Sequence, residues 1–115
     1  MEEYTVNYYP VAADDIKDIY SYLLENDVGE DIAKKQINII LDTLETLTIF
    51  PERYARVDTA KWKNAGMHKM PIRSYIAFYT VDKLNHIVNV VRVFVHGRNI
   101  DYLLESNQIL VSEAI

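Results

Sequence analysis

The sequence lacks several features on which common protein classes depend. It has no cysteine and only three scattered glycines in 115 residues. A disulfide framework, a thiolate metal site and a glycine-rich phosphate loop are therefore excluded. No apolar run reaches membrane-spanning length, and residues 1–9 lack the basic start and apolar stretch of a signal peptide. We expect one cytoplasmic domain over residues 1–115, with no membrane partner.

Familiar catalytic motifs are missing as well. His68, His86 and His96 are isolated from one another, with no HExxH and no His-x-His pair. Such histidines do not define a metal site, and no strained nucleophile elbow is present. We therefore expect no metal and no cofactor.

The charge is unevenly distributed along the chain. The net charge of −5 argues against nonspecific binding to polyanions. Residues 1–50 hold 3 Lys/Arg against 11 Asp/Glu, whereas residues 51–105 hold 9 Lys/Arg against 5 Asp/Glu. This asymmetry fits either a functional face or ordinary solvated surfaces, and the residues alone leave both open.

Hydrophobic periodicity predicts an α+β fold. Apolar residues at three- and four-residue spacing predict one helix from Ala12 and a second ending near Thr48, separated by a tight connector at 26–31. Asp14, Asp15 and Asp18 fall off the first apolar stripe; acids in the first turns suit the positive end of the helix dipole, and the acidic outer faces should face solvent. Strands are expected at 5–9, 68–72, 74–81 and 86–96, a turn at 82–85, and a short helix from Asn99 to Ser106.

This order predicts a particular architecture. Segregated helices and strands indicate an N-terminal strand and an antiparallel helical hairpin packed on one face of a mainly antiparallel sheet of four or five strands, with a short C-terminal helix. Pro71 limits its strand to an edge or a bend. Residues 51–67 lack clean periodicity and read as a loop or ragged edge strand.

The last strand carries the candidate site. A two-residue period puts Arg92, Phe94 and His96 on one face, with Arg98 near it, and Val91, Val93 and Val95 on the face that packs on the helices. Neighbouring strands add further residues to the face away from the helices, namely His68, Arg73, Tyr75 and Tyr79. Arginine binds phosphate or carboxylate, histidine can shuttle a proton, and tyrosine can stack on bases. The alternative is that these residues merely solvate an exposed sheet face.

The sequence resembles the RelE/ParE superfamily of bacterial type II toxin-antitoxin toxins, which includes plasmid-stabilisation proteins. The resemblance covers nearly the whole chain. It rests on Y-x-V-x-Y-x-P-x-A-x-x-D-I-x-x-I-x-x-Y-L at Tyr4–Leu23, L-x-x-F-P at Leu47–Pro51, P-I-x-x-Y-x-x-F-Y at Pro71–Tyr79 and V-x-R-V-x-x-H-G-R-x-x-D-x-L-L at Val90–Leu104. It implies the strand–helix–helix–sheet order reached above, and a cognate antitoxin that wraps the toxin and alone contacts operator DNA.

The resemblance implies two activities. RelE-like members cut mRNA on the ribosome without a metal, whereas ParE-like members inhibit DNA gyrase. The RelE-type arginine after the central-strand tyrosine is here Ile76, and a common basic position is His68. Arg98 matches the arginine after the glycine that ends the last strand, and Tyr102 lies near the position of a tyrosine in some RNases. The candidate catalytic set is therefore His96, Arg98, Arg92 and Tyr102.

Three functions follow, in order of preference. The first is a growth-inhibiting toxin that acts on DNA gyrase and is neutralised by its antitoxin, because the RelE-type arginine is absent. The second is a ribosome-dependent mRNA endoribonuclease, and whether the protein is an enzyme thus stays open. The third is a non-toxic member that still binds its antitoxin.

Overall fold

The helices and strands begin and end close to where the sequence changes its period. The computed structural model describes residues 3–26, 28–57 and 66–95, and these contain two helices and four strands. Short 3₁₀ turns follow the second helix at Thr46–Thr48 and Pro51–Arg53. The bounds of the main elements are β1 Thr5–Tyr8, α1 Pro10–Glu25, α2 Glu30–Glu45, β2 His68–Ile72, β3 Tyr75–Asp82 and β4 Ile87–Val95. The α+β class and this order confirm the prediction.

The predicted helical hairpin is present, with one correction. α1 begins at Pro10, two residues before the expected start, because the missing N–H of proline is harmless at the first helical position. The first turn therefore holds no acid, and Asp14 and Asp15 lie in the second. Asp15 is also buried rather than solvent-facing. Gly29 precedes α2 at φ 81° and ψ 151°, a backbone region that essentially only glycine occupies.

The sheet is mixed. Its strand order is β1-β4-β3-β2, and β1 runs parallel to β4, whereas the other two pairs are antiparallel. β2 is the last strand of this order, as Pro71 predicts, and Arg56 forms an isolated antiparallel bridge with His68 beside it. Residues 55–57 thus make the ragged edge that the sequence suggests.

A β-bulge changes the alternation of side chains along β4. Phe78 pairs with Arg92, but the next residue, Tyr79, pairs with Val90, so Val91 has no partner in β3. An extra residue of this kind shifts the two-residue period. Val90 and Val93 consequently share one face of the sheet, and Val95 lies on the same face, in the alternation with Arg92 and Phe94 that the sequence predicts.

The core occupies both sides of the sheet. One side carries Tyr79, Met70 and Val93, which are buried with the apolar stripes of the helices. The other side carries Ile76 and Phe78, which are also buried. No helix in the described part of the chain is long and apolar enough to cross a membrane. The short helix predicted at 99–106 lies outside the described residues.

Candidate functional site

The outer edge of β4 changes its neighbour halfway along its length. β1 pairs with β4 only as far as Val90, and the N–H of Tyr9 donates to the carbonyl of Val90 at 3.0 Å. Past this point α1 packs beside the strand. The N–H of Val93 donates to Oδ2 of Asp15 at 3.0 Å. A helical carboxylate thus supplies the acceptor that a further strand would otherwise provide.

The same carboxylate holds Arg92. Nε of Arg92 donates to Oδ2 of Asp15 and Nη2 donates to Oδ1, each at 2.7 Å. The two side chains are each 11% exposed. This is the fork-to-fork geometry of a strong charge-assisted pair. The pair fastens α1 to β4 immediately before the strand ends.

The remaining nitrogen of Arg92 has a different environment. Nη1 is buried and has no hydrogen-bond partner among the described residues, and the guanidinium carbon lies 4.5 Å from the centre of the Phe94 ring. The electron-rich ring face attracts the cation and compensates in part for the missing acceptor. The Arg92 guanidinium is therefore bound to Asp15 and packed against Phe94, with Nη1 left as a buried donor.

A cleft of about 450 Å³ opens between α1 and the ends of β3 and β4. Burial raises the pKa of Tyr75, and the phenol of Tyr22 raises it further. The Tyr75 hydroxyl is thus a neutral group near pH 7. The walls are mostly apolar, so the cleft can receive an apolar side chain more readily than a phosphate. Its lining residues are Asp15, Asp18, Ile19, Tyr22, Ser74, Tyr75, Arg92, Val93, Phe94 and Val95.

The sheet register separates residues that the sequence expectation places together. Tyr75 pairs with Val95 and Tyr79 pairs with Val90, so both tyrosines lie on the face of Val93. Arg92 pairs with Phe78 and lies on the opposite face. The expected grouping of these tyrosines with Arg92 on one face is therefore corrected, because residues directly opposite in a ladder point the same way.

His68 and Tyr79 form a buried pair of their own. Their rings stack at 5.1 Å with an interplanar angle of 12°. Nδ1 of His68 lies 2.9 Å from the carbonyl oxygen of Tyr54, and the Tyr79 hydroxyl donates to the carbonyl of Pro51. Both polar groups are thus used to fix the loop that follows α2. Arg73 is exposed in the turn between β2 and β3, with φ 55°.

Of the remaining residues singled out in the sequence, one is described by the structure and three are not. Ile76, at the position of the RelE-type arginine, is buried and pairs with Phe94. His96, Arg98 and Tyr102 lie outside the described residues, and their roles stay predictions. Val95, the last described residue before them, lines the cleft.

Asp15 is the residue that sequence reasoning misses. Its position off the apolar stripe suggests a solvated acid, and its partner is 77 residues away. A usable signal exists, because the quoted family pattern contains both Asp15 and Arg92 at fixed positions. An acidic and a basic residue that are both fixed in one family pattern are candidates for a buried pair.

Comparison with known proteins identifies the family. The family model of the ParE toxin of the type II toxin-antitoxin system parDE matches residues 6–100. The chain therefore belongs to the ParE toxin family, within the RelE/ParE superfamily, and is a toxin of the type II toxin-antitoxin class. No curated protein matches its sequence.

Solved structures show the same fold at low sequence identity. The chromosomal ParDE system of P. aeruginosa aligns with a TM-score of 0.67 and 15% identity, over 81% of this chain and 96% of that chain. The toxin-antitoxin complex RelBE2 of Mycobacterium tuberculosis aligns at 0.57 and 17%, over 82% and 99%. A mutant of E. coli toxin RelE in the free state aligns at 0.55 and 16%, over 93% and 98%.

Proposed function

We propose that this toxin stops growth by inhibiting DNA gyrase in the cytoplasm and that a cognate antitoxin neutralises it. The ParE family match over residues 6–100 supports the gyrase target. The observation that carries the proposal is the state of Arg92, which is bound to Asp15 and buried. Two of its three side-chain nitrogens already bind a carboxylate, which neutralises the cation and makes it a poor ligand for a phosphate.

The burial and pairing of the candidate cationic residues favour a binding function over RNA cleavage. Attack by a 2′-hydroxyl needs a base, an acid and cations that meet the extra phosphate charge. Among the described candidates, Arg92 is committed to Asp15 and His68 is buried under Tyr79. The arginine position of the RelE type holds Ile76, which offers no charge.

The antitoxin part of the proposal has separate support. Two of the aligned structures are the ParDE system and the RelBE2 toxin-antitoxin complex. We infer that this chain likewise has a partner, encoded beside it, that covers the toxin. Operator DNA is then contacted through the antitoxin, in keeping with the acidic first half of this chain.

The test begins with induced expression in a host that lacks the antitoxin. We expect growth arrest that co-expressed antitoxin reverses. Purified toxin should inhibit supercoiling by purified gyrase holoenzyme and should leave gyrase trapped on cleaved DNA. The control is the toxin pre-mixed with its antitoxin, which should leave supercoiling intact.

Two results would replace the proposal. Cuts at codon positions in ribosome-bound mRNA, with gyrase unaffected and the cuts abolished by Arg98→Ala and His96→Ala, would make the protein an mRNA endoribonuclease. Normal growth on expression, with antitoxin binding intact, would make it a non-toxic member of the family.

A further inference from the structure

One end of the molecule presents large apolar side chains to solvent. Phe50, in the loop after α2, is 63% exposed, and Leu84, in the turn between β3 and β4, is 90% exposed. The two loops meet there, because Nζ of Lys83 lies 3.2 Å from Oε1 of Glu52. We call this the apolar end, defined by Phe50 and Leu84. β4 runs away from it, so the cleft at Val95 is about 25–30 Å distant along the strand.

Phe50 is held in an unfavourable backbone conformation. Its φ of 48° and ψ of 55° are left-handed, a region that a residue with a Cβ seldom occupies. The surrounding loop enforces this conformation. Nη1 of Arg53 donates to the carbonyls of Ile49 at 2.7 Å and of Phe50 at 3.2 Å, and the Tyr79 hydroxyl holds the carbonyl of Pro51.

An exposed aromatic ring on a strained backbone calls for a functional reason. A protein that only needed to turn at position 50 would be more stable with glycine or asparagine there, since both tolerate the left-handed region. The exposed ring also adds nothing to the stability of the isolated chain, because a phenylalanine side chain stabilises a fold when it is buried. Strain of this kind is concentrated at binding and switch sites.

The charges at the apolar end indicate the chemistry of its partner. Lys83 and Glu52 neutralise each other, and the carboxylate of Asp82 accepts two hydrogen bonds from Asn85. Arg53 is occupied by backbone carbonyls. Glu52 and Asp82 carry one negative charge each and Arg53 and Lys83 one positive charge each, so these four side chains sum to zero and present no cationic cluster to a phosphate. The complementary surface is apolar and uncharged.

The shape of the apolar end restricts the kind of partner further. Phe50 and Leu84 project from loops and are largely exposed, so a partner must supply the pocket that buries them. A folded protein with a preformed apolar pocket can do so, whereas a segment that wraps around the toxin needs a groove, such as the cleft at Val95. Buried aromatic anchors of this type dominate the affinity of protein interfaces.

We propose that Phe50 and Leu84 anchor the toxin to the protein whose inhibition stops growth, by filling an apolar pocket on that protein. The inference rests on the proposed function only in requiring that the target is a protein. It assigns the apolar end to the target and leaves the antitoxin a separate surface.

The sharpest test replaces Phe50 with a residue that suits its backbone. Phe50→Asn removes the ring and relieves the left-handed strain, so the melting temperature should be equal to or above that of the wild type. Growth arrest should be lost, inhibition of gyrase should weaken by about 30-fold or more, and antitoxin binding should be unchanged. Leu84→Ser should weaken inhibition in the same direction.

The matched control is Ile32→Gln, which removes an apolar side chain of similar exposure, 55%, from α2. It should arrest growth as the wild type does. A folded Phe50→Asn variant that still arrests growth would overturn the inference, and so would one that arrests growth but escapes the antitoxin. If the wild type arrests growth without affecting gyrase and without cutting mRNA, the gyrase proposal fails, while loss of arrest in Phe50→Asn still supports the inference. Arrest by mRNA cleavage overturns both. A wild type that does not arrest growth overturns both.

Discussion

At the scale of single residues, the Asp15–Arg92 pair decides how the end of β4 is held. The carboxylate of Asp15 accepts hydrogen bonds from the Arg92 side chain and from the N–H of Val93. Taking either partner away leaves the other charge buried. Such losses are large, because the desolvation of the remaining ion is no longer offset.

Asp15→Asn should therefore be strongly destabilising, by about 3–5 kcal/mol in the free energy of unfolding. The amide keeps the size of the carboxylate but cannot neutralise Arg92. Asp14→Asn, one residue earlier and exposed, is the matched control and should change stability by less than about 0.5 kcal/mol. Urea denaturation measures both. Equal midpoints for the two variants would show that the ion pair contributes little.

The raised pKa values of two tyrosines predict how the stability of the protein falls at alkaline pH. Burial, together with the neighbouring carboxylate of Glu45, raises the pKa of Tyr8 from its ordinary 10.0 to about 12, and burial raises the pKa of Tyr79 as well. The folded state holds these protons more tightly than the unfolded state. Their contribution is complete below pH 10 and is lost as the pH rises through the folded pKa values.

Tyr79→Phe should reduce this alkaline dependence. The variant should be less stable at pH 7 by about 1 kcal/mol, because the carbonyl of Pro51 loses its donor. Its melting temperature should fall less steeply than that of the wild type between pH 10 and 12. Tyr22→Phe, at an exposed position, controls for the loss of a phenol. Parallel melting curves for Tyr79→Phe and the wild type would contradict the assignment.

At the scale of elements, the connector between the helices depends on one glycine. Gly29 has a φ of 81° and a ψ of 151°, and a Cβ added there would meet no atom within 4 Å. Substitution is thus opposed by the backbone and not by space. Because this region differs from the left-handed helical one, asparagine should not be tolerated in place of glycine.

Gly29→Ala should lower the free energy of unfolding by about 1–3 kcal/mol, and Gly29→Asn by a similar amount. The antiparallel helical hairpin should still form, so the circular dichroism of the native state should be unchanged. Lys35→Ala, on the exposed face of α2, should be neutral. Thermal denaturation separates the variants, and a Gly29→Ala variant as stable as the Lys35→Ala control would refute the argument.

Local elements were predictable from the sequence, and so was the alternation of Arg92 and Phe94 with Val93 and Val95, but the register between β3 and β4 was not. The stripes of α1 and α2 repeat at helical spacing, and Pro71 marks an outer strand, so each signal lies within a few residues. The bulge beside Phe78 leaves no such signal. It inserts one residue into β4, so the β3 pairings on its two sides differ in register by one residue.

At the scale of the whole molecule, the features that could not be predicted are contacts between residues far apart in the sequence. The parallel pairing of β1 with β4 and the contact between Asp15 and Arg92 both join the two ends of the described chain. Periodicity carries no information across such distances. The candidate site was thus predictable as a set of polar residue types near the end of β4, but not as a buried ion pair beside a mainly apolar cleft.

This arrangement predicts that Arg92 supports the fold and does not touch the target. Asp15→Asn combined with Arg92→Met removes both charges, while the new amide oxygen can still accept the N–H of Val93. Replacement of a buried ion pair by neutral groups of similar volume is often tolerated. The double variant should therefore recover most of the stability that Asp15→Asn alone loses, and it should still arrest growth. Urea denaturation tests the recovery of stability, and induced expression tests the growth arrest. Arg98→Ala, at the candidate site predicted from the sequence, is the comparison. A stable double variant that no longer stops growth would show that Arg92 acts on the target directly, and the nuclease alternative would then gain the cation that it needs.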